Sequence, residues 1–311
     1  MFQSYRVSST RRGRRAKRSL GDRPPSTMRS FWDFATIKEI SPAVALIIAS
    51  EYHRFSRGRS WVPRAVNIES WDPDVRAVLD AVGFLSLAGT EPTSSEILNI
   101  DHLSILKMRA GNQASGEKVS ELLEELGVAA MLNDAPLYEA IIEALTNTRH
   151  HAYPETHDFE PPHVPGWWMT GYVNRETREF SVIVYDQGVS IPATLPLWKR
   201  FGELSAFWRK AFRTDPDFED MASDGTAIRA AMTVGKSRTN LATRGKGLHA
   251  IEDAVNRCDN GELAIYSRCG EYRKTSGRPS RHFNRNEAVG GTLVVWRMSF
   301  SADQLDDDQN R

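Results

Sequence analysis

The sequence predicts an α/β protein of the α+β sandwich kind, and two observations carry that reading. Short runs rich in β-branched and aromatic residues, such as Phe180-Ser-Val-Ile-Val-Tyr185, alternate with longer stretches whose apolar residues recur every three or four positions, as at Leu248, Ile251, Ala254 and Val255. Strand-like and helix-like segments that interleave along a chain bury their apolar faces against one another, which favours helix layers on a sheet.

Residues 31–37 read as a strand, Ser41-Pro42 as a helix start and residues 43–55 as the helix, since proline in the first turn lacks only an amide that would be unpaired anyway. A second strand is expected at 61–68. Asp72-Pro73 then opens a helix through Val75, Val78, Leu79 and Val82, stopped by Gly83. Farther on, Leu137, Ile141, Ala144, Leu145 and Thr148 mark a helix, and residues 167–173 and 180–185 mark strands. Leu197, Trp198, Phe201, Leu204, Phe207, Trp208 and Phe212 give a helical pattern, with another helix at 228–232. The helix beginning at Leu248 is followed by strands at 262–268 and 293–296.

These segments divide into a basic arm (1–30) expected to be disordered, a smaller α/β unit (31–133), a larger unit (134–301) and an acidic tail (302–311). The chain carries 40 Lys+Arg against 40 Asp+Glu, so its overall charge implies no polyanionic partner. The charge is uneven, however. The arm holds Arg6, Arg11, Arg12, Arg14, Arg15, Lys17, Arg18, Arg23 and Arg29 against Asp22, and the tail holds Asp303 and Asp306 to Asp308. Contact with nucleic acid through the arm is one expectation; translation starting at Met28 is another, and the arm lacks aromatic residues interleaved for base stacking. Residues 42–49 are too short to span a bilayer and no secretory leader is evident, so a cytoplasmic protein is expected, with no membrane partner.

The chemistry concentrates in Glu143-Ala-Leu-Thr-Asn147-Thr-Arg-His-His151, where Glu143, Asn147 and His151 stand four residues apart and form one polar stripe on an apolar helix. A carboxamide oxygen suits a hard cation such as magnesium, and a carboxylate one turn earlier can orient or deprotonate water. The same pair also suits a solvated helix face. Asp186-Gln-Gly188-Val-Ser-Ile191-Pro192 ends a strand with a carboxylate able to read a base edge and a glycine that permits close approach; alone it is a turn. Arg244-Gly245-Lys246-Gly247-Leu248 opens a helix with bare amides and two cations, the makings of a phosphate cradle. It lacks the Gly-Lys-Ser/Thr ending of a P-loop and follows no strand as a dinucleotide fingerprint does.

In their order, these segments resemble the histidine-kinase-like ATPases, the family of DNA gyrase, mismatch-repair ATPases, heat-shock chaperones and anti-sigma-factor kinases. Glu143-x-x-x-Asn147 is similar to that family's asparagine box, Asp186-x-Gly188-x-x-Ile191-Pro192 to its first glycine box, Gly245-x-Gly247-Leu248 to its second, and Gly290-Gly291-Thr292 completes the set. The resemblance, over about residues 134–300, implies a Bergerat-type mixed sheet with helices on one face and a nucleotide lid at about 193–243. It implies ATP and Mg2+ as cofactors, with Asn147 on magnesium and Asp186 accepting from the adenine amino group. Thr292 would support that contact, and Arg244, Gly245, Lys246, Gly247 and Leu248 would line the phosphates. His150 and His151 are further cofactor-binding candidates, His150 standing where many sensor kinases have a phosphate-contacting lysine. Arg238, Thr239 and Thr243 are candidate lid contacts.

Residues 31–90 are similar in pattern to anti-sigma-factor-antagonist (STAS-like) domains, with Ser41 near the helix start where such partners are phosphorylated; its plainer role is a helix cap. The expected function is therefore a magnesium-dependent ATP-binding switch in signalling, stress or defence regulation that hydrolyses ATP slowly, Glu143 positioning the water. A serine kinase of anti-sigma type and a non-hydrolysing nucleotide-binding interaction module are the alternatives. A protein partner and nucleotide-dependent homodimerisation follow by analogy. Cys258 and Cys269 fit neither a zinc ribbon nor a disulfide framework and read as thiols flanking a strand. His150, His151, His157 and His163 match no metal spacing and read as loop residues.

Overall fold

The computed structural model describes residues 31–58, 63–90, 97–100, 102–128, 136–159, 165–236, 247–258 and 260–299. The basic arm, the acidic tail, His163 and the 237–246 stretch with its lid and phosphate-loop candidates lie outside them.

The N-terminal part forms its helices where expected and its strands only in vestige. β1 (Phe31–Trp32) pairs parallel with β2 (Arg64–Ala65), two residues against two. The predicted 31–37 strand stops because Asp33 Oδ1 accepts the Ala35 N–H at 3.0 Å and turns the chain, sending Phe34 and Ile37 into the core. Pro63 offers no ladder amide ahead of β2, and Asn67, left-handed at φ 55°, ends the extended run after it. Between them α1 (Pro42–Gly58) starts with Ser41, whose Oγ accepts the Val44 N–H at 3.3 Å, as a helix cap does. α2 (Pro73–Ala81) is capped by Asp72, and the short α3 (Phe84–Leu87) follows Gly83 at φ 92°. Phe34, Tyr52, Trp71 and Phe84 pack as an aromatic cluster at the centre of this layer.

Three strands that the sequence pattern did not announce come next: β3 (Ile97–Ile100), β4 (Leu103–Leu106) and β5 (Arg109–Gly111). They are followed by α4 (Gly116–Glu125), α5 (Pro136–Asn147), β6 (Trp167–Asn174) and β7 (Glu179–Asp186). The stretch after β7, overlapping the expected lid, is a helical insertion that contributes α6 (Ile191–Thr194), α7 (Phe201–Phe212) and α8 (Asp224–Lys236). α9 (Gly247–Asn256), β8 (Gly261–Thr275) and β9 (Arg281–Ser299) complete the chain. A seven-stranded sheet runs in the order β3-β4-β6-β7-β9-β8, with β5 pairing β6. Residues 97–111, assigned from sequence to the smaller unit, thus extend the larger unit's sheet.

Two fold expectations are corrected. The large sheet is antiparallel at every pairing rather than mixed. The reason is connectivity: β6–β7 and β8–β9 are hairpins, and β9 returns between β7 and β8, so β7 and β8, which run the same way, never pair. Helices also cover both faces rather than one. Phe180, Val182 and Val184 of β7 pack with α4, α5 and α9, whereas Ile183 and Tyr185 meet Leu46 of α1 on the other side. A strand buried on both faces loses its polar alternation, which is why 182–185 reads as a continuous apolar run.

The insertion carries its own core, in which Leu195, Leu204, Trp208, Phe218, Ala227 and Ala231 pack together. Ile228 and Met232 of α8 join the main core, so this helix is a seated element. Among the described residues no helix is long and apolar enough to cross a membrane.

Candidate functional site

A cavity of about 480 Å3 opens between α5, the end of β7, the insertion and α9. Glu143, Asn147, His150, His151, Asp186, Ile191, Leu248 and Thr292 all line it. Residues separated by up to about half the chain are therefore brought to one place. Adjacent α5 and α9 form one wall, and register does the rest, since β7 pairs with β9 so that Asp186 stands directly opposite Thr292.

Asp186 is the buried carboxylate of the cavity, at 7% exposure. Its Oδ1 accepts the Gly188 N–H at 2.9 Å and its Oδ2 accepts the Thr148 hydroxyl at 3.3 Å, while the same hydroxyl also reaches the Ala144 carbonyl at 3.1 Å. Burial pushes the carboxyl pKa up to about 6, with the Gly188, Thr148 and Thr292 hydrogen bonds pulling against it. Gly188 itself does not line the cavity. It sits behind Asp186, where a Cβ would lie 2.3 Å from the Ala152 carbonyl oxygen, so glycine is needed for chain packing rather than for ligand approach. Gly291, at φ 89°, is tighter still: a Cβ there would lie 2.0 Å from the Asp186 carbonyl oxygen.

Glu143 and Asn147 occupy the α5 wall. Burial raises the Glu143 pKa above the usual carboxylate range, with Asn147 and His150 opposing that shift. Asn147 Nδ2 is buried facing Glu143 but makes no hydrogen bond of normal geometry among the described residues, the kind of under-satisfied polar atom that a ligand or water satisfies. At Asn147 the helix passes into a π-type turn, Thr148–Ala152, an irregularity that turns Thr148 inward to Asp186 and leaves His150 and His151 at the mouth. Partial enclosure, then the neighbouring His150 and Lys199, hold the His151 pKa below its ordinary value.

Several contributors had no distinguishing signal in the sequence. Thr148 reads there as one more apolar-face position. Ser267 looks like any strand residue, yet its pairing with Thr292 puts the two hydroxyls 2.9 Å apart, and its Oγ also accepts the Ile191 N–H at 2.8 Å. Ser190 is held at φ 92° with its hydroxyl buried and, among the described residues, unpartnered at the cavity wall. Its position two residues after Gly188 was the only available hint. Of the phosphate-loop candidates, Arg244, Gly245 and Lys246 lie outside the described residues, and Gly247 is the first residue of α9. Among the described residues no cluster of three or more His, Cys, Asp or Glu could hold a metal ion. A magnesium ion sharing phosphate oxygens and waters with one carboxamide needs no such cluster.

Comparison with known proteins finds no matching protein-family model and no matching curated protein.

Proposed function

We propose that this cavity binds ATP with magnesium and that the protein is a nucleotide-operated switch, the reading that the resemblance suggested. The observation that carries it is the buried Asp186 carboxylate at the inner end of the cavity. Hydrogen bonds from Gly188, Thr148 and the Thr292 backbone hold it in place, its oxygens keep a lone pair to accept from an amino group, and a threonine stands opposite. A buried, oriented acceptor of this kind discriminates by hydrogen bonding, because a ligand lacking the matching donor leaves it unpaired. Adenine offers such a donor in its exocyclic amine.

The residues present fit the nucleotide's other end as well. Asn147 offers its carboxamide oxygen to magnesium and its under-satisfied Nδ2 to a phosphate oxygen or water. Bound magnesium supplies charge neutralisation on the phosphate oxygens. Glu143, one turn earlier, is placed to orient an attacking water, and its raised pKa brings it toward the range useful to a general base. The output runs through Gln187, the neighbour of Asp186, whose Nε2 donates to Glu51 on α1 at 2.7 Å. A shift of the Asp186 turn on binding thereby reaches the N-terminal layer.

Binding without turnover, as in a nucleotide-dependent interaction module, is the second reading, favoured by the burial that keeps Glu143 from ionising as readily as a free carboxylate. Calorimetry of Mg-ATP on the whole chain, followed by phosphate release from the same samples, tests both. Binding with release supports the switch with hydrolysis, binding without release supports the module, and no binding refutes the nucleotide reading.

A further inference from the structure

The β8–β9 hairpin runs well past the sheet and curls back on itself. Ser276, just beyond β8, donates its N–H to the carbonyl of Gly261, the strand's first residue, at 2.9 Å. A bulge at Ser267 to Gly270 makes that bend. Arg273 stands opposite Arg281 and Glu271 opposite Phe283, and alternation along the two strands puts Glu271, Arg273 and Thr275 on the same face as Arg281, Phe283 and Arg285. The curl turns this face inward, giving a concavity of about 360 Å3 that Glu262 and Arg278 also line; it shares no residue with the nucleotide cavity.

Its charges are unequal. Glu271 is fully buried and held from both sides by Arg273 and Arg285; Glu262 takes Arg273 at 3.4 Å and, from outside the concavity, Arg297 at 3.7 Å. Four arginines thus face two glutamates, and Arg278 and Arg281 have no carboxylate partner among the described residues. A cross-strand pair of like charges, such as Arg273 and Arg281, costs stability unless an anion sits between them. The buried Glu271 keeps two of the guanidinium groups from rotating away, so the site is built before any ligand arrives. Phe283, 43% exposed, offers a ring at the same face.

We propose that this concavity is a second ligand site, for the dianion of a small phosphomonoester carried on an aromatic group. The unpaired excess of two positive charges matches a phosphoryl dianion; guanidinium forks match its oxygens bidentately; and Phe283 stacks on the group that bears it. A single half-open concavity of this size suits one phosphoryl group rather than the run of phosphates along a nucleic acid.

The test is calorimetry of phenyl phosphate, phenyl sulfate and O-phosphoserine on the whole chain. Variants spare Arg273 and Arg285, because removing either strands the buried Glu271. Phenyl phosphate should bind saturably, and Arg278→Ala combined with Arg281→Ala should weaken it by about tenfold or more. Phe283→Ala should reduce the preference for phenyl phosphate over phosphoserine, and phenyl sulfate, a monoanion of the same shape, should bind several-fold more weakly. Asp186→Ala, in the other cavity, should change nothing. No saturable binding at about 10 mM phenyl phosphate overturns the proposal. Full affinity in the double arginine variant also overturns it, as does loss in Asp186→Ala; equal affinity for the sulfate overturns the dianion assignment. These outcomes stand apart from those for ATP, which concern residues the concavity does not contain.

Discussion

Replacing Asp186 with asparagine should stabilise the protein while weakening its hold on ATP. The side chain keeps its shape: the amide oxygen can accept the Gly188 N–H, and the amide nitrogen can donate to Thr148 Oγ1, which then donates only to the Ala144 carbonyl, while the Thr292 backbone donor loses its charged acceptor. What disappears is a buried charge. Its pKa is raised from 3.8 to about 6, a shift equivalent to about 3 kcal/mol of cost to the folded state once the group is ionised. For a carboxyl whose folded pKa is raised, the associated stability is fully present below the unfolded value of 3.8 and is lost as pH rises through about 6. The gain in Asp186→Asn should therefore reach roughly 1–3 kcal/mol above pH 7, several degrees in Tm, and vanish near pH 4. Thermal melts of both proteins across that range read it directly. Calorimetry should show ATP affinity falling by about 10- to 100-fold, the value of one hydrogen bond to a charged acceptor. A variant no more stable than wild type at pH 8, or a difference that ignores pH, refutes the buried-charge reasoning; unchanged ATP affinity refutes the base contact.

Glu143→Gln should abolish phosphate release while leaving Mg-ATP binding intact, and in wild type the release rate should fall on acidification through the raised Glu143 pKa; a rate indifferent to both removes Glu143 as the base. Gly291→Ala should cost at least about 2 kcal/mol in urea denaturation, because φ is 89° and the new Cβ strikes the Asp186 backbone, whereas Gly290→Ala, whose nearest contact is 4.0 Å away, should cost well under half of that. His53 Nδ1 accepts the Trp168 indole N–H at 2.9 Å, and burial followed by Arg57 lowers its pKa, so the stability it contributes is present above the unfolded value of 6.5 and is lost as pH falls through the folded one. The protection factors of α1 amides, taken against the intrinsic exchange rate at each pH, should fall between pH 7 and pH 5, and His53→Gln should flatten that slope; a slope that persists in the variant assigns it elsewhere.

The candidate site was legible where chemistry and periodicity coincide. Glu143, Asn147 and His151 interrupt an apolar helix at four-residue spacing, and a strand running straight into Asp186 leaves a carboxylate at the edge of the core. Neither observation depends on where the rest of the chain goes. The α1, α2, α7 and α9 helices were legible for a similar reason, since helical hydrogen bonds are local and the amphipathic stripe records which side is buried. The short β1 and β2 were overread, because side-chain turns at Asp33 and a left-handed Asn67 end them regardless of β propensity.

Sequence alone determined the helices α1, α2, α5, α7, α8 and α9, the apolar runs of β6 to β9 and the polar groups Glu143, Asn147 and Asp186, all of which follow from properties of neighbouring residues. Tertiary structure decided the antiparallel order of the sheet, the packing of α1 on its second face, and the pairing that sets Ser267 beside Thr292 and Thr292 opposite Asp186. It also decided that a buried glutamate fixes arginines on the curled hairpin. Strand pairing joins residues far apart in the chain through backbone bonds common to every residue type, so the side chains carry little record of which strand will lie alongside.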